Sequence, residues 1–185
     1  MSTTILFVCH ANLCRSPMAE RLARHLAAPH SRRIAIGSAG THAHDGLEMH
    51  PGAAEVLRDC GVDPSGFRSR GLTVDLLDRA DLVLAATREQ RSYCVSLAPS
   101  TLRRAFTITQ FGRLASAIDA DRIRGLESLL DVMTEVRAGF QPALPDEDDL
   151  ADPVLGTLAD MAECAKRIQA ALEPAIGLIA GSGSS

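Results

Sequence analysis

Flat side chains are scarce in this chain. It has no Trp, one Tyr (Tyr93) and five Phe, so aromatics make up 3% of its residues. Few ring faces are therefore available to stack on a nucleobase or an aryl group. Lysine is almost absent: Lys166 is the single Lys among 19 basic residues, the rest being Arg, and 23 acidic residues bring the formal net charge to -4. A general nucleic-acid binder carries a basic excess, so this balance argues against one. No apolar run approaches the roughly 20 residues a bilayer crossing requires, which argues against a membrane partner. Met1 to Cys9 has no basic stretch, and its apolar run is too short for a secretory signal. Five cysteines, an odd number spread from Cys9 to Cys164, form no disulfide framework. Free cysteines without an export signal predict a reducing, cytoplasmic location. Oligomeric state leaves no mark in these residues.

At 185 residues the chain has the length of one domain. Ile5-Leu6-Phe7-Val8 is a short continuous apolar run, the pattern of a buried parallel strand. Further strands are predicted at Arg33–Ile36, Asp81–Ala86 and Ala105–Ile108. Pro17 opens a helical pattern to about Ala28, with Met18, Leu22, Ala23 and Leu26 on one face. Helical patterns also cover Pro51–Cys60, Arg88–Leu97, Gln110–Ser116, Arg122–Arg137 and Leu158–Ile179, with a short helix or turn at Leu72–Ala80. Strands alternating with helices predict an α/β fold of three layers, a parallel sheet with right-handed crossovers. Residues 1–180 are expected to form one domain, and Gly181–Ser185 a flexible tail. In such sheets the ligand crevice lies beyond the carboxyl ends of the strands, where the loop after the first strand sits.

That loop reads Val8-Cys9-His10-Ala11-Asn12-Leu13-Cys14-Arg15-Ser16-Pro17. It runs from a strand into a helix N-terminus, where backbone N–H groups and the helix dipole favour an anion. The same field favours a thiolate at Cys9. Arg15 can offer its planar fork to two phosphate oxygens, and Ser16 can donate its hydroxyl to the Cys9 sulfur. Asn12 tolerates left-handed backbone and can bond neighbouring loop groups. His10, Ala11, Asn12, Leu13, Cys14 and Arg15 thus line a phosphate-binding loop, with Cys9 as nucleophile. The pattern points to phosphoryl transfer without a metal or other cofactor. All six His lie in the first fifty residues, but His42, His44 and a cysteine lack paired zinc-ligand spacing.

Cys-x5-Arg-Ser near the N-terminus, matched here by Cys9 to Pro17, resembles the signature of the low-molecular-weight protein tyrosine phosphatases. The resemblance continues through Ser38-Ala39-Gly40-Thr41 and Asp81-Leu82-Val83-Leu84 to Asp152-Pro153. It implies a four-stranded parallel sheet flanked by helices. By composition Asp146, Glu147, Asp148, Asp149 and Asp152 could each supply the proton that a departing alkoxide or phenoxide needs. The first four read as a solvated acidic loop, whereas Pro153 stiffens the backbone that aims Asp152, and the resemblance implies Asp152 as general acid and base. The expected reaction is hydrolysis of a phosphomonoester, on a phosphorylated protein or a small molecule, through a phosphocysteine on Cys9. The resemblance also implies that Cys14 is able to pair reversibly with Cys9; packing is the other reading. Two alternatives remain: arsenate reduction on the same fold, which needs two further cysteines near the site, and a phosphate- or phosphopeptide-binding module without turnover.

The chain departs from its relatives in places. Many have Gly where Ala11 stands, aromatics where Val154, Leu155 and His44 stand, and a His near Phe67 that supports the loop Asn and Ser. The missing aromatics predict weaker recognition of a phosphotyrosine ring.

Overall fold

The computed structural model describes residues 3–30, 34–123, 125–139 and 144–181. Four strands form one all-parallel sheet: β1 (Thr3–Cys9), β2 (Ile34–Gly40), β3 (Leu82–Ala85) and β4 (Ala105–Thr107), in the order β2-β1-β3-β4. β1 is paired on both sides and its residues 5–9 are buried, as a continuous apolar run requires. Cys9 lies opposite Gly40, and Val8 opposite Ala85, so three strand ends meet at one edge of the sheet.

The helices are α1 (Arg15–Leu26), α2 (Pro51–Asp59), α3 (Val74–Asp78), α4 (Arg88–Leu97), α5 (Ile108–Ser116), α6 (Leu126–Gly139), α7 (Pro145–Asp148) and α8 (Leu158–Gly181). Side chains alternate across a strand, and β1 divides the core accordingly. Leu6 and Val8 pack with Leu77 of α3 and Cys94 of α4. Ile5, Phe7 and Cys9 face the larger cluster, with Met18 of α1, Leu57 of α2, Phe111 of α5, Leu129 of α6 and Ile168 of α8. Cys9 therefore points to the α1 and α8 side of the sheet. The expected three layers are present.

Several boundaries differ from the sequence expectation. α1 starts at Arg15, and Pro17 falls inside its first turn, where a missing N–H costs nothing. β2 continues to Gly40. Thr107 ends β4 one residue early because its hydroxyl accepts from the Gln110 N–H and caps α5. The helix expected from Arg122 begins only at Leu126, since Gly125, at φ 131°, breaks the chain direction after a 3-10 turn at Ala120–Arg122. The acidic loop contains α7. Cys60 is exposed at the end of α2. Gly181, expected to open the tail, closes α8, and the rest of the expected tail, residues 182–185, lies outside those described.

Arginines seal both edges of the sheet. On β2, Arg24 donates to the Ile36 carbonyl (2.7 Å from its terminal nitrogen) and Arg70 Nε to the Ser38 carbonyl (2.7 Å). On β4, Arg91 Nε donates to the Ala105 carbonyl at 2.6 Å. No helix among the described residues is long and apolar enough to cross a membrane.

α5 and α8 pack with almost no space between them at Gly112. A Cβ added there would lie 2.5 Å from the Ala171 Cα and carbonyl oxygen. Gly112→Ala is expected to force the helices apart and cost about 2 kcal/mol despite its better helix propensity, read as a lower urea midpoint at unchanged slope.

Candidate active site

The loop after β1 closes over the sheet edge through backbone bonds to the start of the next segment. The Thr41 N–H donates to the Cys9 carbonyl at 2.9 Å and the His42 N–H to the His10 carbonyl at 2.9 Å. Gly40 must be small for this: a Cβ there would lie 2.6 Å from the His10 oxygen and 2.8 Å from the Asn12 nitrogen. Asn12, at φ 56°, is the non-glycine residue with positive φ among the described residues. Its left-handed turn carries the chain from the strand into α1.

Polar side chains hold that turn. Asn12 Nδ2 donates to Ser16 Oγ at 2.8 Å and to Ser38 Oγ at 3.0 Å. Asn12 Oδ1 accepts from the Arg70 N–H at 2.9 Å. Ser38 Oγ donates to Glu20 Oε2 at 2.5 Å, and Arg24 pairs with Glu20 Oε1 at 2.9 Å. Ser16 Oγ lies 2.9 Å from Cys9 Sγ. All of these but Arg24 and Arg70 are buried. α1 has no acidic residue in its first turn, so its positive end is not neutralised locally.

Arg15 joins this loop to the C-terminal part of the chain. Its guanidinium, 6% exposed, donates to the Leu150 carbonyl at 3.1 Å and to Asp152 Oδ2 at 2.5 Å. Its Nε is buried without a hydrogen-bond partner. The Asp152 segment is fastened from several sides. The Leu150 N–H donates to the Ala86 carbonyl at 2.9 Å, Thr109 Oγ1 to the Asp148 carbonyl at 2.9 Å, and Arg88 N–H to Asp149 Oδ1 at 2.7 Å. Asp148 is buried and pairs with Arg113 at 2.6 Å. Asp148 and Asp149 are thus structural ion-pair partners rather than members of a solvated loop. Glu147 accepts from the Leu144 N–H, and the Asp146 side chain lies outside the described residues.

Cys9, Asn12, Arg15, Ser16 and Asp152 therefore come together. Leu13 is partly buried against the core and its carbonyl accepts from the His50 N–H. Ala11 is also partly buried. Cys14 is the buried residue before α1; burial above all, then Asp152 and Cys9, pushes its thiol up to about 12. His10 is exposed, its ring stacked on His42 at 4.6 Å, with Tyr93 of α4 tilted against His42 at 5.8 Å. His44, at the position expected for a wall residue, instead offers its carbonyl to Ser69. Sequence reasoning missed His42, Tyr93, Ser38 and Glu20 as site neighbours. Ser38 stood inside a quoted motif, and Glu20 lies one helical turn after Ser16; only the ring ladder had no signal. Cys164 is buried beside a cleft of about 280 Å³ that Asp152, Asp160, Glu163 and Arg167 also line; burial pushes its thiol up to about 11. No group of three or more His, Cys, Asp or Glu among the described residues is placed to hold a metal.

A thiol beside a hydroxyl, a helix N-terminus, a buried guanidinium and a carboxyl can receive an oxyanion and exchange a proton with it. The family model for low molecular weight phosphotyrosine protein phosphatases matches residues 4–122. EpsP of Ralstonia solanacearum, a probable low molecular weight protein-tyrosine-phosphatase, is 32% identical over 145 residues, spanning 78% of this chain and 96% of that one. A protein-arginine-phosphatase of Geobacillus stearothermophilus is 33% identical over 146 residues, 73% of this chain and 96% of the other. The solved structure of a low molecular weight protein tyrosine phosphatase from T. tengcongensis superimposes with a TM-score of 0.72 at 27% identity, covering 95% of this chain and 98% of that one. The strand-loop-helix that carries Cys9 to Ser16 lies within the matched region, and this chain belongs to the low molecular weight phosphotyrosine protein phosphatase family of hydrolases.

Proposed function

We propose that this chain hydrolyses an aryl phosphomonoester through a phosphocysteine on Cys9. The observation that carries the reading is the buried Arg15 fork, bonded to Asp152 at the edge where Cys9 and Ser16 meet. In the free protein Asp152 stands where a phosphate oxygen would go. An arriving phosphate displaces it from Arg15. The Cys9 thiolate then attacks phosphorus; the bond from phosphorus to the ester oxygen breaks as Asp152 gives that oxygen its proton. Asp152, now a carboxylate, takes a proton from water, whose oxygen attacks phosphorus. Inorganic phosphate leaves and the thiolate returns. Arg15 and the loop N–H groups hold the three equatorial oxygens in both steps.

His10, next to Cys9 in the chain, stacks on His42, and Tyr93 tilts against His42, a run of rings against which an aryl leaving group can rest. This ladder supplies the flat surface that composition seemed to deny, on the opposite principle from an aromatic after Asp152-Pro153. It supports an aryl over an alkyl ester. Cys60 is exposed at the end of α2, and Cys94 is buried in the cluster of Leu6 and Val8, across the sheet from Cys9. Neither can relay a disulfide from Cys9. Cys14 and Cys164 do lie near it, but burial pushes their thiols up to about 12 and about 11. That makes them poor attacking thiols and favours phosphatase chemistry over thiol-relayed arsenate reduction.

Cys9→Ser is expected to lower turnover of an aryl phosphate by more than about a thousandfold, and Asp152→Asn to lower kcat by about a hundredfold with the larger loss on poorer leaving groups. Full turnover in Cys9→Ser would refute the scheme. His42→Ala and Tyr93→Ala should each lower kcat/KM for a phosphotyrosine peptide by about fivefold while leaving a phosphoserine peptide unchanged. An equal loss on both would remove the ring ladder from substrate recognition. A phosphoarginine peptide in the same panel tests the activity named for the Geobacillus relative.

A further inference from the structure

The chain as a whole is acidic, with a formal net charge of -4, yet four of its arginines line one groove. The groove has a volume of about 440 Å³ and lies between α1, β2 at the sheet edge and residues 66–70. Arg21 and Arg24 come from α1, three residues apart and so neighbours on its surface. Arg68 and Arg70 come from a segment whose burial alternates, Phe67 and Ser69 inside and the two arginines outside. That is the pattern of an extended chain, and it sets the two arginines about 7 Å apart on one side. Their donors are only partly used. Arg70 bonds the Ser38 carbonyl through Nε, and its terminal nitrogens have no hydrogen-bond partner among the described residues. Arg24 bonds Ile36 and Glu20 through Nε and one terminal nitrogen, which leaves the other. Arg21 lies over the Phe67 ring at 6.0 Å, and its buried Nε has no partner. Glu20 is the acid that lines the groove, and it is buried with its oxygens taken by Ser38 and Arg24. Asp63 feels the charge of Arg21, but its oxygens already accept from the Ser65 N–H and hydroxyl. Glu48 reaches Arg68 at 3.4 Å across an exposed pair. The groove therefore keeps a positive excess with donors to spare.

We propose that this groove binds an acidic stretch of the phosphorylated protein on which the chain acts. The proposal rests on the phosphatase reading for the identity of the partner, but not for the binding itself. Three features favour an extended acidic peptide over one compact phosphate. The cations stand in two rows on separate elements instead of converging on a point. α1 presents its second and third turns here and not its N-terminus, so no cradle of backbone N–H groups is on offer. The spacing of Arg68 and Arg70 equals the repeat of same-side residues in an extended partner, so carboxylates at alternate positions meet both. The Ile36 and Ser38 carbonyls are already covered by Arg24 and Arg70, so the partner is held by side-chain charge and does not add a strand. Gly37, in the groove, is three residues and about 10 Å down β2 from Gly40, which stands opposite Cys9. One polypeptide can therefore occupy both places, with its acids a few positions from the phosphorylated residue.

Binding is measured first without chemistry, by fluorescence anisotropy of a labelled, unphosphorylated peptide of alternating Glu and Ser beside its Gln counterpart. The wild-type protein should bind the Glu peptide about tenfold more tightly and lose that preference as salt rises. Arg21→Gln together with Arg68→Gln should weaken binding about tenfold while leaving the bonds of Arg24 and Arg70 to β2 in place. Arg79→Gln together with Arg103→Gln removes the same charge from exposed ion pairs elsewhere and should overlay the wild type. Glu48→Gln releases Arg68 from its competitor and should tighten binding about twofold. If the first pair does not fold, exposed Arg68→Gln alone carries the comparison. In turnover, a phosphotyrosine peptide with a Glu-rich flank should lose about tenfold in kcat/KM in the Arg21 and Arg68 variant, through KM. A small aryl phosphate should be hydrolysed as by the wild type. Equal weakening in the two double variants would assign the attraction to net charge and overturn the groove. Binding of tripolyphosphate but not of the Glu peptide would replace the acidic stretch by a small polyanion and overturn the proposal. Turnover retained in Cys9→Ser would defeat the proposed reaction and leave the anisotropy result standing.

Discussion

The site depends on one buried amide. Asn12 uses its oxygen on the Arg70 backbone and both amide hydrogens on serines from two different segments. A buried amide left partly unpaired costs about 1–3 kcal/mol, so this degree of satisfaction holds the residue firmly. It also offsets the strain of φ 56°, a conformation that a side chain with a local hydrogen-bonding amide tolerates better than most. The turn at Asn12 is what reverses the chain between the end of β1 and the start of α1. Cys9 and Arg15 converge because of it.

Arg15 imposes a second constraint, this time over distance. Its partner Asp152 lies 137 residues further along the chain. Nothing local brings them together; the C-terminal segment is delivered by bonds to the end of β3, to the first turn of α4 and to α5. The pair of buried Asp148 with half-buried Arg113 is part of the same fastening. Half of the cradle is thus local and stiff, while the other half is borrowed from the tertiary fold. Asp152, 42% exposed, is the member with room to exchange partners.

The sheet was legible because its strands are short, continuous apolar runs separated by helical periods, and such runs have few alternatives. The loop was legible because its chemistry is packed into consecutive residues, Cys9 to Ser16. Asp152 was reachable only because Pro153 and a family motif marked it among five acids. What remained hidden has a common cause. His42 and Tyr93 meet across separate loops and helices, so no spacing announces them. Glu20 looks like any helix acid until Ser38, on β2, is seen to face it. The same holds for Asp148 and Asp149: acidity in a loop reads as hydration unless the facing arginines, Arg113 and Arg88, are known. Helix ends shifted where a cap or a glycine intervened, as at Thr107 and Gly125.

The arginines on the two outer strands give the composition a further meaning. An open sheet presents bare carbonyls along its rims, and those carbonyls are templates on which another chain can add a strand. Here the free acceptors of Ile36, Ser38 and Ala105 are already occupied by guanidinium groups. The segment after Arg70 also pairs with the end of β2, where Gly40 and Gly71 form a bridge. A guanidinium presents several donors in a fixed plane and keeps its charge, which an ammonium on a flexible stem does less well. Sheet extension between copies, and the aggregation that grows from it, meets a charged stopper at both rims. The scarcity of lysine is then a feature of how this fold keeps its borders closed.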